Sequence, residues 1–298
     1  MIWVSWRQHR SQALACLGLL CALAVFAIVV SSSMRTAFAH DGLAGCLARG
    51  TGTSGCQNAF HAFMTRFNSM VNIAFWALLL LLPGLIGVVT GAPLIARELE
   101  YGTWRLAWSQ TVPRTRWLIT KLALVSGGLV VLGAAMTAVI TWYREPMDRL
   151  TGHFINNVYD FEGLVLTAYI LLAFGLAVLA GLLLRRSIPA MVTALVAWLA
   201  VKLGVEYLLR PHFQAPATFL QVCAHGCSID TGINAVPPGT GHIGDWVLST
   251  AQRGNQLVIT YQPADRFWHF QFIEAGLFVA ITAVALAAAI WLLHRRAA

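Results

Sequence analysis

Two side chains of opposite charge lie four positions apart in a strongly apolar stretch. Lys202 and Glu206 would share one face of a helix, because residues i and i+4 are neighbours on a helix surface. A charge in mid-bilayer is costly, so such side chains face protein or water. Two interpretations are open. The pair is a polar patch that lies in a translocation path or at a contact between the two halves of an assembly, or it is an internal ion pair near the outer end of the helix. Glu274 is a candidate third member of the patch.

A polar segment over residues 97–121 separates two apolar stretches. In it, Gly102 permits a tight turn, Thr103 can cap a short helix, and Trp104 and Trp108 could lie on the apolar side of that helix. This pattern is typical of an amphipathic helix in the membrane interface with its polar face towards a cytosolic partner. The other interpretation is an ordinary inner loop that carries the usual basic residues.

These residues must be positioned by helices that cross a membrane. Hydrophobic residues make up 58% of the chain and charged residues 11%, whereas a soluble domain has about 25% charged residues. A span needs about 20 mostly apolar residues. The chain is therefore expected to be one all-α polytopic transmembrane domain over residues 1–298. Six stretches qualify as spans: residues 13–30, 71–96, 117–143, 164–184, 188–209 and 272–293.

Basic residues predict the orientation of these spans. Arginines and lysines concentrate in the N-terminal segment, in residues 97–121, at Arg185 and Arg186, and at the C-terminus. The positive-inside rule then predicts cytoplasmic termini, and it explains the net charge of +8 without a nucleic-acid partner. Residues 1–12 are expected to form an interfacial helix. Residues 210–271 are expected to form an extracellular lobe with short strands.

Four of the six cysteines fall in predicted outer loops, where disulfides persist. Three pairings are open, and we expect the local pairs Cys46–Cys56 and Cys223–Cys227 because their separations are short. Cys223-x-His225-x-Cys227 could instead bind a metal, but two thiolates and one imidazole make an incomplete site. The other outer histidines are scattered along the sequence, so we predict no metal site.

Pro83 lies in the middle of the second predicted span and is followed by Gly84. A proline removes one backbone hydrogen bond and displaces the preceding turn. The position is either a hinge that lines a translocation path or a static kink of the kind that transmembrane helices tolerate.

Missing motifs limit the chemistry of the chain. It contains no Gly-x-x-x-x-Gly-Lys-Ser/Thr loop for phosphate, and no zinc-protease or serine-hydrolase motif. We therefore expect no catalytic residue, no cofactor and no ATP hydrolysis by this chain alone. An ion-coupled secondary transporter is disfavoured because internal repeats and several embedded carboxylates are missing. A non-transporting sensory or regulatory subunit stays open.

The polar segment resembles the inner loop of ABC-2-type exporter permeases, which joins the second and third of six spans. The resemblance is carried by Arg97-Glu98-x-Glu100-x-Gly102-Thr103-x-x-Leu106 and by the later Arg114. Six spans and the large outer loop before the last one match the same family. The runs Tyr261–Trp268 and Trp6–Arg10 are similar to an actinomycete subgroup. The chain departs from the family in having Thr111 where a proline is frequent.

This resemblance implies a mechanism and a set of partners. Residues 97–116 would form the coupling helix and loop that dock on an ABC ATP-binding subunit, present in two copies and holding ATP and Mg²⁺. A second copy of the chain would complete a homodimer in the bacterial plasma membrane. Alternating access would move a hydrophobic or amphipathic cargo outward, such as a drug, lipid or peptide, as in multidrug efflux. The implied coupling residues are Glu98, Glu100, Gly102, Thr103, Trp104, Arg105 and Arg114.

Overall fold

Six long apolar helices dominate the fold, which confirms the predicted class. The computed structural model describes residues 2–49, 54–69, 73–100, 114–154, 156–222, 244–254 and 256–295. Six helical segments within them are long and apolar enough to cross a membrane. These segments are Leu14–His40, Leu80–Arg97, Arg116–Thr151, Val165–Leu184, Ser187–His212 and Ala264–Arg295.

Three of the spanning helices extend beyond both ends of the apolar runs from which they were predicted: Ile2–His40, Arg114–Thr151 and Phe267–Arg295. The predicted interfacial segment 1–12 is continuous with the first span, because α1 runs unbroken from Ile2 to His40. Two shorter helices, α2 and α3, occupy the loop that follows. The bounds are α1 Ile2–His40, α2 Leu43–Arg49, α3 Ser54–Ser69, α4 Ile73–Glu100, α5 Arg114–Thr151, α6 Asn156–Tyr159, α7 Val165–Leu184, α8 Ser187–Gly204 and α9 Phe267–Arg295.

Helix α7 is the centre of the bundle and packs against α4, α5, α8 and α9. Its sequence is apolar on every side, which is typical of a helix enclosed by other helices. Small residues allow α4 to approach it closely. A Cβ atom added to Gly87 would lie 2.4 Å from the carbonyl oxygen of Ile170, so a larger residue would force the two helices apart.

Helix α8 changes its winding before it ends. A π-helical turn over Val205–Leu209 and a 3₁₀ turn over Arg210–His212 continue it to the edge of the bundle. A π-turn inserts one extra residue and so changes which side chains face inward. Both turns lie at the end of the bundle opposite Ile2 and Arg295; we call this end the lobe end, and the other the terminal end.

A three-stranded antiparallel sheet lies between the fifth and sixth spans and confirms the predicted lobe strands. The strands are β1 Ala217–Val222, β2 Trp246–Arg253 and β3 Gln256–Gln262, in the order β1-β3-β2. Aromatic contacts join the sheet to the bundle. The Trp246 ring lies 5.6 Å from Phe154 and 6.4 Å from Phe270, measured between ring centroids.

A disulfide joins Cys46 of α2 to Cys56, near the start of α3, as the local-pair prediction expected. The two helices lie at the lobe end, where Phe63 and Phe67 of α3 pack with Met34 of α1 and Met147 of α5. The second predicted pair, Cys223–Cys227, lies outside the described residues.

Candidate functional site

A group of buried charges lies at the lobe end, where α7, α8 and α9 meet. Lys202 lies on α8 and Glu206 in the π-turn, and the ion pair expected from their spacing is formed, with 2.6 Å between Nζ and Oε2. Nζ also donates to Oδ2 of Asp160, at 2.7 Å. The Lys202 side chain is 1% exposed, so the ammonium is enclosed by protein.

Arg210 is the second cation of this group and binds two carboxylates. Its Nη2 donates to Asp160 Oδ1 at 2.6 Å and to Glu274 Oε1 at 2.8 Å, and its Nε donates to Glu274 Oε2 at 2.9 Å. The two-point pairing with Glu274 is the strong geometry that a guanidinium offers to a carboxylate. The guanidinium also lies over the Tyr159 ring, 4.5 Å from its centroid.

Tyr169 of α7 completes the buried ionic cluster, which we define as Asp160, Tyr169, Lys202, Glu206, Arg210 and Glu274. The Tyr169 hydroxyl lies 3.1 Å from Asp160 Oδ1 and 3.0 Å from Glu274 Oε1. It also accepts a hydrogen bond from Arg210. One neutral hydroxyl therefore contacts three of the five charged members.

The opposite charges of the buried ionic cluster largely compensate one another. Burial raises the pKa of Asp160, but the charges of Arg210 and Lys202 and their hydrogen bonds outweigh burial, so the pKa lies below its ordinary value. Two cations face three carboxylates, which leaves one net negative charge when all are ionised. Removing one partner from such a group leaves an uncompensated charge, which destabilises proteins by about 3–5 kcal/mol.

Neutral polar contacts of Gln271 join α9 to the start of α7 and to the end of α6. Gln271 of α9 accepts hydrogen bonds at Oε1 from the backbone N–H groups of Leu164 and Val165, at the start of α7. Its Nε2 donates to the carbonyl of Tyr159. A helix start leaves backbone N–H groups without helical partners, so this amide satisfies two of them.

Pro83 is buried inside α4, which continues as one helix past it. A Cβ atom added to the neighbouring Gly84 would lie 2.6 Å from the Trp198 ring of α8. Trp198 is itself anchored, because its Nε1 donates to the carbonyl of Tyr169 at 3.0 Å. Pro83 and Gly84 therefore lie where α4 packs closely against α8.

At the terminal end, Glu100 is the last residue of α4 and contacts the start of α8. Its Oε2 accepts hydrogen bonds from the backbone N–H of Ser187 at 3.2 Å and from Oγ of Ser187 at 3.0 Å. A carboxylate is favourable at a helix N-terminus, where unpaired N–H groups carry partial positive charge. Glu100, Arg185 and Arg186 line a cavity of about 550 Å³ at this position.

Most of the other predicted coupling residues lie outside what the structure describes. Gly102, Thr103, Trp104 and Arg105 fall in the gap 101–113. The backbone at Glu98 lies in α4 and Arg114 begins α5, but neither side chain is described. Among the predicted coupling residues, Glu100 is therefore the one whose side-chain contacts the structure describes.

Sequence reasoning missed three members of the buried ionic cluster: Asp160, Tyr169 and Arg210. A signal for Arg210 was present, because Lys202, Glu206 and Arg210 continue the same four-residue spacing. Asp160 lies between the predicted spans 117–143 and 164–184, and no local pattern shows that the turn before α7 folds inward. The structure unites Lys202, Glu206 and Glu274 as members of one cluster, and places Pro83 elsewhere.

The chain was also compared with known proteins. A family model described as "ABC-2 membrane transporter related" matches residues 17–210. The matched part holds five spans, the polar segment and the whole buried ionic cluster except Glu274. Neither a curated protein nor a solved structure matches the chain.

Proposed function

The chain belongs to the ABC-2 membrane transporter related family, and from that premise we propose that it is the permease of an ATP-driven exporter. The family indicates a transmembrane subunit of an ABC transporter, and the six apolar helices agree with a multi-pass protein of a bacterial plasma membrane. The proposal adds a direction: a hydrophobic or amphipathic cargo moves outward by alternating access.

In this proposal, a partner subunit hydrolyses ATP. The family implies an ATP-binding partner subunit, and the 298 residues contain no phosphate-binding loop. Two copies of that subunit would bind ATP and Mg²⁺, and two copies of this chain would form a closed two-fold assembly. The terminal end of the bundle would then face the cytoplasm.

The contact between Glu100 and Ser187 is the observation that supports coupling between ATPase docking and helix movement. Glu100 belongs to the polar segment that would dock on the ATPase and is its last described residue before the gap 101–113, and Ser187 begins α8. A displacement of the docking segment would therefore act directly on α8. This helix with its terminal turns reaches from Ser187 to Arg210, roughly 35 Å away at 1.5 Å per residue.

The buried ionic cluster lies at the other end of α8 from Ser187. Lys202 and Arg210 are carried by α8 and its terminal turns, while Glu274 is on α9 and Tyr169 is on α7. Movement of α8 along its axis would stretch several short ion pairs together, so the cluster would oppose gradual sliding and favour discrete positions of α8. Burial of Lys202 and Glu274 supports this positioning role over one in which they line the cargo path.

The decisive experiment reverses both acidic charges of the docking segment. We expect Glu98→Lys with Glu100→Lys to abolish co-purification of the ATPase or export of cargo, while the chain still inserts and folds. The matched control is Asp41→Lys, which reverses a charge at the lobe end, where no ATPase would dock. Unchanged co-purification and unchanged export in the double variant would refute the coupling assignment. Retained ATPase binding with no cargo movement by the wild type would indicate a sensory subunit.

A further inference from the structure

A second group of ionisable side chains lies at the lobe end, beside the buried ionic cluster but separate from it. Asp148 is in the last turn of α5, His153 follows α5, and Glu162 lies in the turn before α7. His153 Nδ1 is 2.7 Å from Glu162 Oε2 and 3.6 Å from Asp148 Oδ2. One ligand atom from each of the three residues lies within 4.8 Å of the other two.

The two carboxylates are buried and have unused acceptor atoms. The side chains of Asp148 and Glu162 are 2% and 3% exposed. Among the described residues, no hydrogen bond reaches Asp148 Oδ2 or Glu162 Oε1, and the nearest cation to Oε1 is Arg144, whose Nε lies 3.4 Å away. A buried carboxylate oxygen without a donor is unfavourable, and a bound cation would remove that cost.

Arg144 supplies part of the countercharge and orients the acids. Its Nη2 donates to Asp148 Oδ1 at 3.0 Å, and its Nε lies 3.4 Å from Glu162 Oε1. With both acids ionised and His153 neutral, one guanidinium against two carboxylates leaves one net negative charge. Arg144 also holds Asp148 so that its other oxygen, Oδ2, lies on the side of His153, which is how outer residues orient metal ligands.

We propose that Asp148, His153 and Glu162 bind a divalent transition-metal ion, for which Zn²⁺ is the best match. An imidazole with two carboxylates suits Zn²⁺ better than Mg²⁺ or Ca²⁺, which prefer oxygen ligands alone. Tetrahedral zinc at its usual bond lengths separates neighbouring ligand atoms by about 3.4 Å. The 3.6 Å between His153 Nδ1 and Asp148 Oδ2 fits this value, and the contact with Glu162 would open by less than about 1 Å.

The site is accessible, because the His153 side chain is 53% exposed while the carboxylates lie beneath it. Water would complete the coordination as a fourth ligand. The metal would tie the end of α5 to the segment before α7. This inference concerns a separate set of residues and does not depend on the proposed export function.

Protonation of His153 would compete with metal binding. The hydrogen bond to Glu162 raises the pKa of His153, which burial would otherwise lower. A protonated imidazole would leave two cations against two carboxylates and a neutral salt-bridge network. The test must therefore separate metal binding from an ion pair.

The test uses the full chain with Cys223→Ser and Cys227→Ser, which removes the other candidate metal ligands, purified with a tag that contains no histidine and stripped of metal by a chelator. Zn²⁺ is titrated against a competing fluorescent chelator, and Co²⁺ is added separately to record its visible absorption. We expect one Zn²⁺ per chain at this site and Co²⁺ bands of the intensity typical of four-coordinate sites. His153→Ala and Asp148→Asn should weaken this binding by at least about tenfold, since loss of even an outer-shell partner costs about 10- to 100-fold.

The matched control is His40→Ala, because His40 is exposed at the same end and contacts Asp41, but no third ligand lies beside them in the described part of the chain. It should leave the site unchanged. The proposal is overturned if the chain with only the two cysteine substitutions shows no four-coordinate Co²⁺ spectrum, or if His153→Ala binds Zn²⁺ as tightly as His40→Ala does. His153→Ala removes a half-exposed side chain, and the Co²⁺ spectrum needs no variant of the three ligands, so the test stands even if Asp148→Asn fails to fold.

Discussion

Glu100 accepts two hydrogen bonds from one residue, Ser187, through the backbone N–H at 3.2 Å and the side-chain Oγ at 3.0 Å. The two residues are 87 positions apart and join the end of α4 to the start of α8. The contact therefore links the start of the polar segment, at the end of α4, to the helix that carries Lys202.

Glu100→Gln is predicted to impair coupling with little loss of stability. The amide keeps the size of the side chain but loses the charge that favours a helix N-terminus, which is worth about 0.3–1 kcal/mol at an exposed site. We expect ATP hydrolysis by the assembled transporter to respond less to cargo, while the melting temperature falls only slightly.

Ser187→Ala should act in the same direction but more weakly, because it removes Oγ and keeps the backbone N–H bond. Glu145→Gln is the control, since Glu145 is a partly exposed acid at the lobe end. Normal coupling in Glu100→Gln would contradict the role of this contact.

Arg210→Met is predicted to destabilise the protein by about 3–5 kcal/mol, because Asp160 and Glu274 lose the cation between them. Thermal unfolding in detergent or nanodiscs measures the effect. Arg149→Met is the matched control: Arg149 is 61% exposed and pairs with Glu145, so its loss should cost about 1 kcal/mol or less. Equal melting temperatures for the two variants would show that the cluster does not stabilise the fold.

Lys202→Met separates a positioning role from a role in the cargo path. It should lower stability because Asp160 and Glu206 lose a shared partner, and adding Glu206→Gln should restore part of the loss by removing one unpaired charge. Export per folded molecule should recover together with stability in the double variant. If stability recovers while export stays low, Lys202 contributes directly to the path.

Gly84→Ala is predicted to destabilise the packing of α4 on α8 by about 1–3 kcal/mol, because the new methyl group would overlap the Trp198 ring. Gly276→Ala is the control, since a Cβ at that position of α9 meets nothing within 4 Å. Thermal unfolding of both variants measures the difference in stability.

Pro83→Ala should leave export within about twofold if the kink is static, whereas a large change would indicate a hinge.

Thiol labelling tests both the Cys46–Cys56 disulfide and the orientation of the chain. In a variant with Cys223→Ser and Cys227→Ser, a membrane-impermeant maleimide should modify Cys46 and Cys56 in intact cells only after reduction. Cys16 and Cys21 lie within the first span and serve as the internal comparison. Labelling of Cys46 and Cys56 without reductant would contradict the disulfide. Labelling of reduced Cys46 and Cys56 only after cell lysis would show that the orientation is opposite to the predicted one.

Several of the predictions made from the residues alone rested on local patterns. The six spans follow from apolar length, which each stretch of about 20 residues displays by itself. Two of the three strands could be located from their β-type sequences and the turns beside them. The Lys202–Glu206 pair followed from helical spacing, because i and i+4 neighbours need no tertiary information.

The sequence by itself determined a multi-pass helical protein with a polar segment after its second span, because membrane insertion depends on composition and length. Only the tertiary structure decided that Arg210 meets Glu274, 64 positions away, and that His153 meets Asp148 and Glu162. Such meetings depend on how α5, α7, α8 and α9 pack and on the π-turn that redirects the end of α8. The free energy of a buried charge is set by partners that no local stretch of sequence contains.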